Sequence, residues 1–405
     1  MKGEKKAPKL RFKGFTDDWE QRKLGDLADR VTTKNKGMVS ELPLTISAQD
    51  GLISQDEFFN KKVASKDLSS YLLLHHGDFA YNKSYSNGYP FGTIKRLEKY
   101  PQGVVSSLYI AFKPNSSISS DFMAQYYESN NWHKEIYKCA AEGARNHGLL
   151  NVPPSDFFAT NLNIPITKSE QLKIGRLLNA VDQTITLHEE KKRQLERLKS
   201  ALMQKMFADK SGYPPVRFEG FSNEWEHCKL GDVFVERNQK TVADKNYPLC
   251  SFIAHKGVVP KAKYDRSFLV KSDDKKYKRT ELNDFIYSSN NLETGSIGLN
   301  KFGNATISPV YSVFMVKGNS EFIAGLATTH RFIYEMIRFR QGVVYGQWRI
   351  HESDFLKIKY YIPQVLEQEK IGNLLSELDR TITLHDQKLN LLKLVKQSLL
   401  QNMFI

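Results

Sequence analysis

Three short stretches of the 405-residue chain gather amide, hydroxyl and basic side chains beside a glycine or a tyrosine, and each stretch occurs twice with different residues. Gln49 and Asp50 precede Gly51, where His255 and Lys256 precede Gly257. Asn82, Lys83, Ser84 and Tyr85 follow Tyr81, where Ser288, Ser289, Asn290 and Asn291 follow Tyr287. Arg145, Asn146 and His147 precede Gly148, where Gln347, Trp348 and Arg349 follow Gly346. These side chains suit hydrogen bonding to base edges: an amide matches adenine, and an arginine fork matches guanine or a phosphate. Asn, Ser and Gly also form turns, so solvated turn chemistry stands beside base contact as a reading of the same residues.

Parts that would do covalent chemistry are missing. No G-x-G occurs, which removes the dinucleotide fingerprint and the glycine-rich loop of many methyl-donor sites. Glycines at P-loop spacing lack the following lysine, and neither Pro-Asp nor H-E-x-x-H is present. Asn151-Val152-Pro153-Pro154 departs from the amino-methyltransferase pattern by an inserted Val and a following Ser155, and reads as a turn before a strand. His188 and His385 occupy matching positions, where a packed polar residue setting helix register is favoured over a metal or pH role. The expectation is a chain with no catalytic, metal or cofactor site of its own.

Charge points to a polyanion. Lys and Arg number 59 against 45 Asp and Glu, giving a net charge of +14. Residues 1–210 carry +8 and residues 211–405 carry +6. An even spread fits two basic units able to displace counterions from phosphates. The chain has no apolar run of bilayer length, and its basic N-terminus lacks the apolar core of a secretory signal. Cys139, Cys228 and Cys250 are too few and too far apart for a disulfide framework or common zinc spacing. A cytoplasmic location and no membrane contact are expected.

The elements that must position these loops are themselves duplicated. RFKGFTDDWEQRKLGD (Arg11 to Asp26) and RFEGFSNEWEHCKLGD (Arg217 to Asp232) are identical at 10 of 16 positions. EQLKIGRLLNAVDQTITLH (Glu170 to His188) and EQEKIGNLLSELDRTITLH (Glu367 to His385) agree at 13 of 19. Between these anchors Gly77-Asp78-Phe79 matches Asn283-Asp284-Phe285, Tyr109 matches Tyr311, and Ser155-Asp156-Phe157 matches Ser353-Asp354-Phe355. Alternation in VSSLYIAF and VYSVFMV reads as strands, and helices are expected after caps at Ser120 and Ser320. Trp19 and Trp225 match between copies and belong to cores. The fold class is therefore α+β: two similar mixed α/β domains with an internal repeat.

After Pro165 and Pro363 come proline-free stretches, about 170–207 and 367–404, that read as helices. Heptad spacing runs through Ile174, Leu178, Val181, Ile185, His188, Lys192, Leu195, Lys199, Leu202 and Met206. The second copy repeats it through Ile371, Leu375, Leu378, Ile382, His385, Leu389, Leu392, Lys396, Leu399 and Met403. Such a seam wants a partner helix, and about 38 residues span roughly 57 Å, more than a small domain needs. Two long antiparallel coiled-coil helices, related with their domains by a pseudo-two-fold, are expected; a parallel pair remains open. The expected division is a domain over 10–165, a spacer helix over 166–208, a second domain over 215–363 and a second spacer helix over 364–405.

In order and spacing, LRFKGFTDDWEQRKLGDLADRV, GDFAYNKS, GARNHGLLNV and the repeated IP…EQ…IG…LL…D…I…H helix starts resemble the DNA-specificity subunits of type I restriction-modification enzymes. The resemblance covers nearly the whole chain. It implies two target recognition domains, each reading one half of a split double-stranded DNA target, with paired helices fixing the spacer. It also implies docking of two modification (methyltransferase) subunits and of restriction (motor-nuclease) subunits. S-adenosylmethionine, ATP and Mg2+ would be used by those partners, with no cofactor in this chain. A different class stays open: a non-catalytic tandem coiled-coil adaptor that clamps protein partners and uses its charge for solubility alone.

Scaffold residues should match between copies and readers should differ, since two half-sites differ. The run KSDDKKYKR (Lys271 to Arg279) has no basic counterpart, and is either a backbone-contacting patch or a solvated loop. Lys191, Lys192 and Arg193 are expected on a solvent face.

Overall fold

The computed structural model describes residues 6–61, 63–84, 88–140, 150–254, 256–261, 276–343 and 347–405. They form two compact mixed α/β units, one of residues 1–189 with 388–405 and one of residues 190–387. Both boundaries fall inside the long helices Lys168–Lys205 and Val365–Met403. Each unit therefore contains a segment of both helices, where the sequence suggested domain followed by helix.

In the first unit, an antiparallel sheet runs in the order Ala28–Arg30, Ile110–Pro114, Phe79–Asn82, Thr93–Arg96. The second unit repeats it as Phe234–Glu236, Ser312–Val316, Phe285–Tyr287, Ile297–Leu299. Registers correspond: Phe79 faces Phe112, and Phe285 faces Phe314. A two-stranded pair also recurs, Glu20–Lys23 with Asn161–Ile164 and Glu226–Lys229 with Lys359–Ile362. The stretch VSSLYIAF is not one strand. Val105 ends the strand Gln102–Val105, Tyr109 N donates to Ser106 O at 3.0 Å to close a turn, and a new strand starts at Ile110. In VYSVFMV the strand likewise starts only at Ser312, after Tyr311 N donates to Ser308 O.

Helices Ser120–Glu128 and Ser320–Ala327 start where expected, but the cap lies one residue earlier. Ser119 and Asn319 have extended backbones, and each side chain accepts from the N–H three residues on, Phe122 or Phe322. The stretch 151–154 leads into a short helix, Pro154–Phe158, before the strand, because proline suits a first helical turn.

The shared motif at the start of each long helix is explained by its contacts. Gln171 Oε1 accepts from Ser119 N at 2.8 Å while its Nε2 donates to Pro165 O at 3.0 Å. Gln368 does the same with Asn319 N at 3.2 Å and Pro363 O at 2.9 Å. One turn on, Gly175 lets the helix approach the cap of Ser120–Glu128: a Cβ there would lie 2.8 Å from Phe122 N. Gly372 stands equally close to Phe322 N.

Trp19 and Trp225 are buried, each edge-on to a phenylalanine, Phe122 or Phe322, at a centroid distance of 5.8 Å. The end of the opposite copy's helix completes each core. Phe404 lies 5.3 Å from Phe122, and Phe207 lies 5.5 Å from Phe322. Ile174 and Leu178 join the first core, Ile371 and Leu375 the second.

Within each unit the two helix segments run antiparallel. In the first, Asp182 pairs with Lys396 at 2.6 Å and Glu189 with Lys393 at 2.7 Å. In the second, Lys192 pairs with Asp386 and Lys199 with Asp379, both at 2.5 Å. Lys192 thus leaves the expected solvent face, while Lys191 and Arg193 are exposed as expected. The stem of Lys192 lies along the half-buried seam and its charge finds the aspartate of the facing helix. His188 and His385 are half-buried in the seam.

Candidate nucleic-acid interface

Loop positions differ in how firmly they are held. Gln49 and Asp50 are exposed at the tip of the hairpin Leu44–Ser47/Gly51–Ser54, where Ser47 Oγ donates to Asp50 Oδ2 at 2.9 Å. Lys256 is exposed at the tip of the matching hairpin Cys250–Ile253/Gly257–Pro260. It also lines a cleft of about 1070 Å³ within the second unit, together with Phe252, Leu292 and Tyr334. Gly51 and Gly257 have φ of +81° and +74°, so glycine completes both turns. Tyr85, Arg145, Asn146, His147 and His255 lie outside the described residues.

The second and third stretches meet in the second copy, and in the first copy the second stretch meets the described segment that begins at Leu150. In the first unit Leu150 N donates to Lys83 O at 3.0 Å and Lys83 Nζ donates to Val152 O at 3.3 Å, tying the loop after Tyr81 to the segment before Pro153. Burial holds the Lys83 ammonium below its ordinary pKa. Asn82 Oδ1 accepts from Ser84 N at 3.0 Å, so this amide shapes its own loop and leaves Nδ2 to donate. Asn82, Lys83 and Ser84 are all half-buried.

In the second unit the two strands Gln341–Val343 and Gln347–Arg349 pair antiparallel as a ribbon. Ser289 Oγ accepts from Ile350 N at 3.0 Å and Asn290 Oδ1 accepts from Trp348 N at 2.6 Å, so the loop after Tyr287 borders the ribbon's outer edge. Ser288 and Ser289 are only 6% and 8% exposed. This differs from the expectation of solvent-facing readers: they support the loop, because a buried hydroxyl must spend its hydrogen bonds internally. Asn290, Asn291, Gln347, Trp348 and Arg349 are exposed.

Two residues of the basic run are reassigned. Lys278 lies in the strand Tyr277–Thr280, 7% exposed, and pairs with Glu352 at 3.1 Å. Arg279 lies over the Tyr247 ring at 4.0 Å and pairs with Glu281 at 3.3 Å. Lys278 makes an interior ion pair and Arg279 a part-exposed one, both from a strand, while Lys276 is exposed. Residues 271–275 lie outside the described residues.

Glu352 escaped the reading of the sequence. Its Oε1 receives Lys278 Nζ at 3.1 Å and Ser312 Oγ at 3.0 Å, while Oε2 lies 3.6 Å from Arg349 Nη2. Burial works against the charge, but the backbone hydrogen bond, Lys278 and Ser312 outweigh it and hold the carboxyl below its ordinary pKa. The copy comparison held a signal: Glu352 stands opposite Pro154, next to the matched Ser-Asp-Phe. Among the described residues no group of three or more His, Cys, Asp or Glu could hold a metal, and no helix is long and apolar enough to cross a membrane.

The arrangement presents hydrogen-bonding side chains on exposed tips over a rigid, duplicated scaffold. Comparison with known proteins meets this geometry. Residues 222–394 match the family model described as type I restriction modification DNA specificity domain. The fold is similar to the crystal structure of a type I restriction-modification system S subunit from M. genitalium. The TM-score is 0.61 at 16% identity, covering 98% of this chain and 99% of that one. The HsdS subunit from Thermoanaerobacter tengcongensis is also similar, with a TM-score of 0.45 at 14% identity over 95% of this chain and 96% of that one. The matched residues include the helix start Glu367 to His385, which Glu170 to His188 repeats at 13 of 19 positions. Residues 222–394, in the second half of the chain, therefore carry a type I restriction-modification DNA-specificity domain.

Proposed function

We propose that this chain is the DNA-recognition subunit of a type I restriction-modification complex. Each duplicated domain reads one half of a split double-stranded target, and the two long helices act as an antiparallel coiled-coil spacer between them. The chain catalyses nothing itself. Two modification subunits supply methyl transfer from S-adenosylmethionine, and restriction subunits supply ATP- and Mg2+-dependent motor and nuclease activity.

The observation that carries this reading is the contrast between scaffold and tips. Caps, glycines, tryptophans and sheet registers match between the copies, whereas Asn82, Lys83 and Ser84 stand opposite Ser288, Ser289 and Asn290. Two unlike readers on one scaffold suit two unlike half-sites. Exposed helix leucines in each unit support docking: Leu187 (66% exposed), Leu391 and Leu394 in the first, and Leu384 (55% exposed), at the position matching Leu187, in the second.

Footprinting the chain bound to its modification subunit tests the proposal. Two protected segments separated by an unprotected spacer are expected, with affinity falling steeply as salt rises. Salt-insensitive binding, or protection with no sequence preference, would favour the adaptor reading instead.

A further inference from the structure

The half-buried carboxylate of Glu352 has a feature that the scaffold does not require. Its Oε1 is saturated inside the unit by Lys278 and Ser312, and its Oε2 reaches outward to Arg349, whose side chain remains 56% exposed. The first copy dispenses with this network. Lys278 faces Ile307 in its strand pair as Leu72 faces Val105, so Leu72 stands in its place. Ser312 and Ile110 each follow the matched tyrosine, and Glu352 and Pro154 each precede the matched Ser-Asp-Phe. The corresponding residues are thus all apolar in one copy, and in the other a lysine, a glutamate and a serine joined by hydrogen bonds. Replacing apolar packing by a buried ion pair is at best neutral for stability. The polar network therefore calls for a reason in what distinguishes the copies, and it leads to an exposed arginine on the ribbon.

The ribbon's pairing defines its faces. Gly342 lies opposite Trp348, and Gln341 opposite Arg349. Side chains alternate, so Gln347 and Arg349 share one face while Trp348 takes the other. Two residues apart on a strand is about 6.8 Å, close to two base steps of about 3.4 Å each. A two-stranded ribbon also fits the major groove. Two residues of the short helix Glu352–Phe355 reach this face: Asp354 accepts from Gln341 Nε2 at 3.3 Å, and Glu352 forms an ion pair with Arg349 at 3.6 Å. A carboxylate fixed beside a guanidinium repels phosphate oxygens, leaving a neutral base edge as the better partner.

Resting on the DNA-reading function above, we propose that Arg349 is a guanine-reading residue of the second half-site and that Glu352 is the positioning residue that aims it. Gln347, on the same face, would meet a base two steps away.

The test uses the full chain with its modification subunit, selecting from a random duplex library to obtain the preferred site, then measuring affinity across salt. Arg349→Ala should lose preference at a single G·C position in one half-site, roughly tenfold to a hundredfold. Preference in the other half-site and the salt slope should not change. Arg349→Lys keeps the charge but not the fork and should relax the same position. Glu352→Gln should relax it in part. Ser312→Ala, a milder change at the same carboxylate, gives a second readout should Glu352→Gln fold poorly. A uniform loss of affinity in Arg349→Ala with a shallower salt slope would make Arg349 a phosphate contact and overturn the inference while leaving the DNA-reading function intact. So would unchanged preference in Arg349→Ala, or full preference in both Glu352→Gln and Ser312→Ala. Failure of the unaltered complex to select any sequence would instead remove the DNA-reading function, and this inference with it.

Discussion

Arg217 grips the buried carboxylate of Glu367 at both oxygens, Nε to Oε1 at 2.6 Å and Nη2 to Oε2 at 2.8 Å. Arg11 holds Glu170 in the same way, at 2.6 and 2.9 Å. Each arginine also donates Nη1 to a backbone carbonyl, Asn223 O or Asp17 O. This paired fork joins the opening segment of each copy to the first turn of its long helix, and it explains why the two most repetitive stretches of the sequence lie about 150 residues apart yet vary least.

Removing one partner leaves a charge that is 1% exposed without compensation. Arg217→Ala should therefore destabilise the second unit by about 3 kcal/mol or more. Arg217→Lys should recover only part, since an ammonium cannot match both oxygens. Denaturant unfolding followed in the second unit checks this; equal stability of Arg217→Ala and the unaltered chain would refute it.

Gly175→Ala sets two effects against each other. Alanine favours a helix interior by about 1 kcal/mol over glycine. The new Cβ, however, would meet Asp121 Cβ at 2.7 Å and Phe122 N at 2.8 Å, and backbone cannot yield as a flexible side chain would. Overpacking of this kind costs about 1–3 kcal/mol, so a net loss is expected. A rise in thermal midpoint would show that the helix withdraws from the cap without penalty.

Phe404→Ala should destabilise the first unit by about 3–5 kcal/mol. The ring is 4% exposed and packs against Trp19, Phe122 and Tyr126. Tryptophan fluorescence reports it directly, because Trp19 would lose an edge contact. An unchanged emission together with unchanged stability would contradict the packing role.

Burial pushes the Asp78 carboxyl above its ordinary 3.8, against the opposing His75 backbone hydrogen bond and the charges of His75 and Lys113. The folded state then holds the proton more tightly than the unfolded chain. The associated stability is fully present below about pH 3.8 and is lost as pH rises through the folded value. Asp78→Asn keeps an acceptor for His75 N, now 2.8 Å from Asp78 Oδ2, and has no charge to bury. Its stability relative to the unaltered chain should increase from about pH 4 to about pH 7. A difference that stays constant across that range would exclude the buried charge as the cause.

Much of this molecule is legible in its sequence because it is written twice. Matching stretches exposed the scaffold, and helical spacing without proline located both long helices to within two residues. Where copies differ, residue type alone misled. Ser288 and Ser289 look like solvent-facing turn formers, and Lys278 sits in a basic run, yet burial decides their roles, and burial depends on neighbours such as Ile350 and Glu352 that are distant in sequence. The same holds for the caps, where extended backbone at Ser119 and Asn319 places the accepting oxygen one residue before the expected one.

Local interactions and periodicity are carried by contiguous residues, so duplication, helix extent, charge balance and the family's motifs were settled by the chain itself. Tertiary structure alone decided which long-range partners meet: Phe404 closing on Trp19, Phe207 on Phe322, and Glu352 on Lys278 and Arg349. The physical reason is that such contacts are selected by shape and desolvation in a folded interior, quantities that no window of neighbouring residues contains.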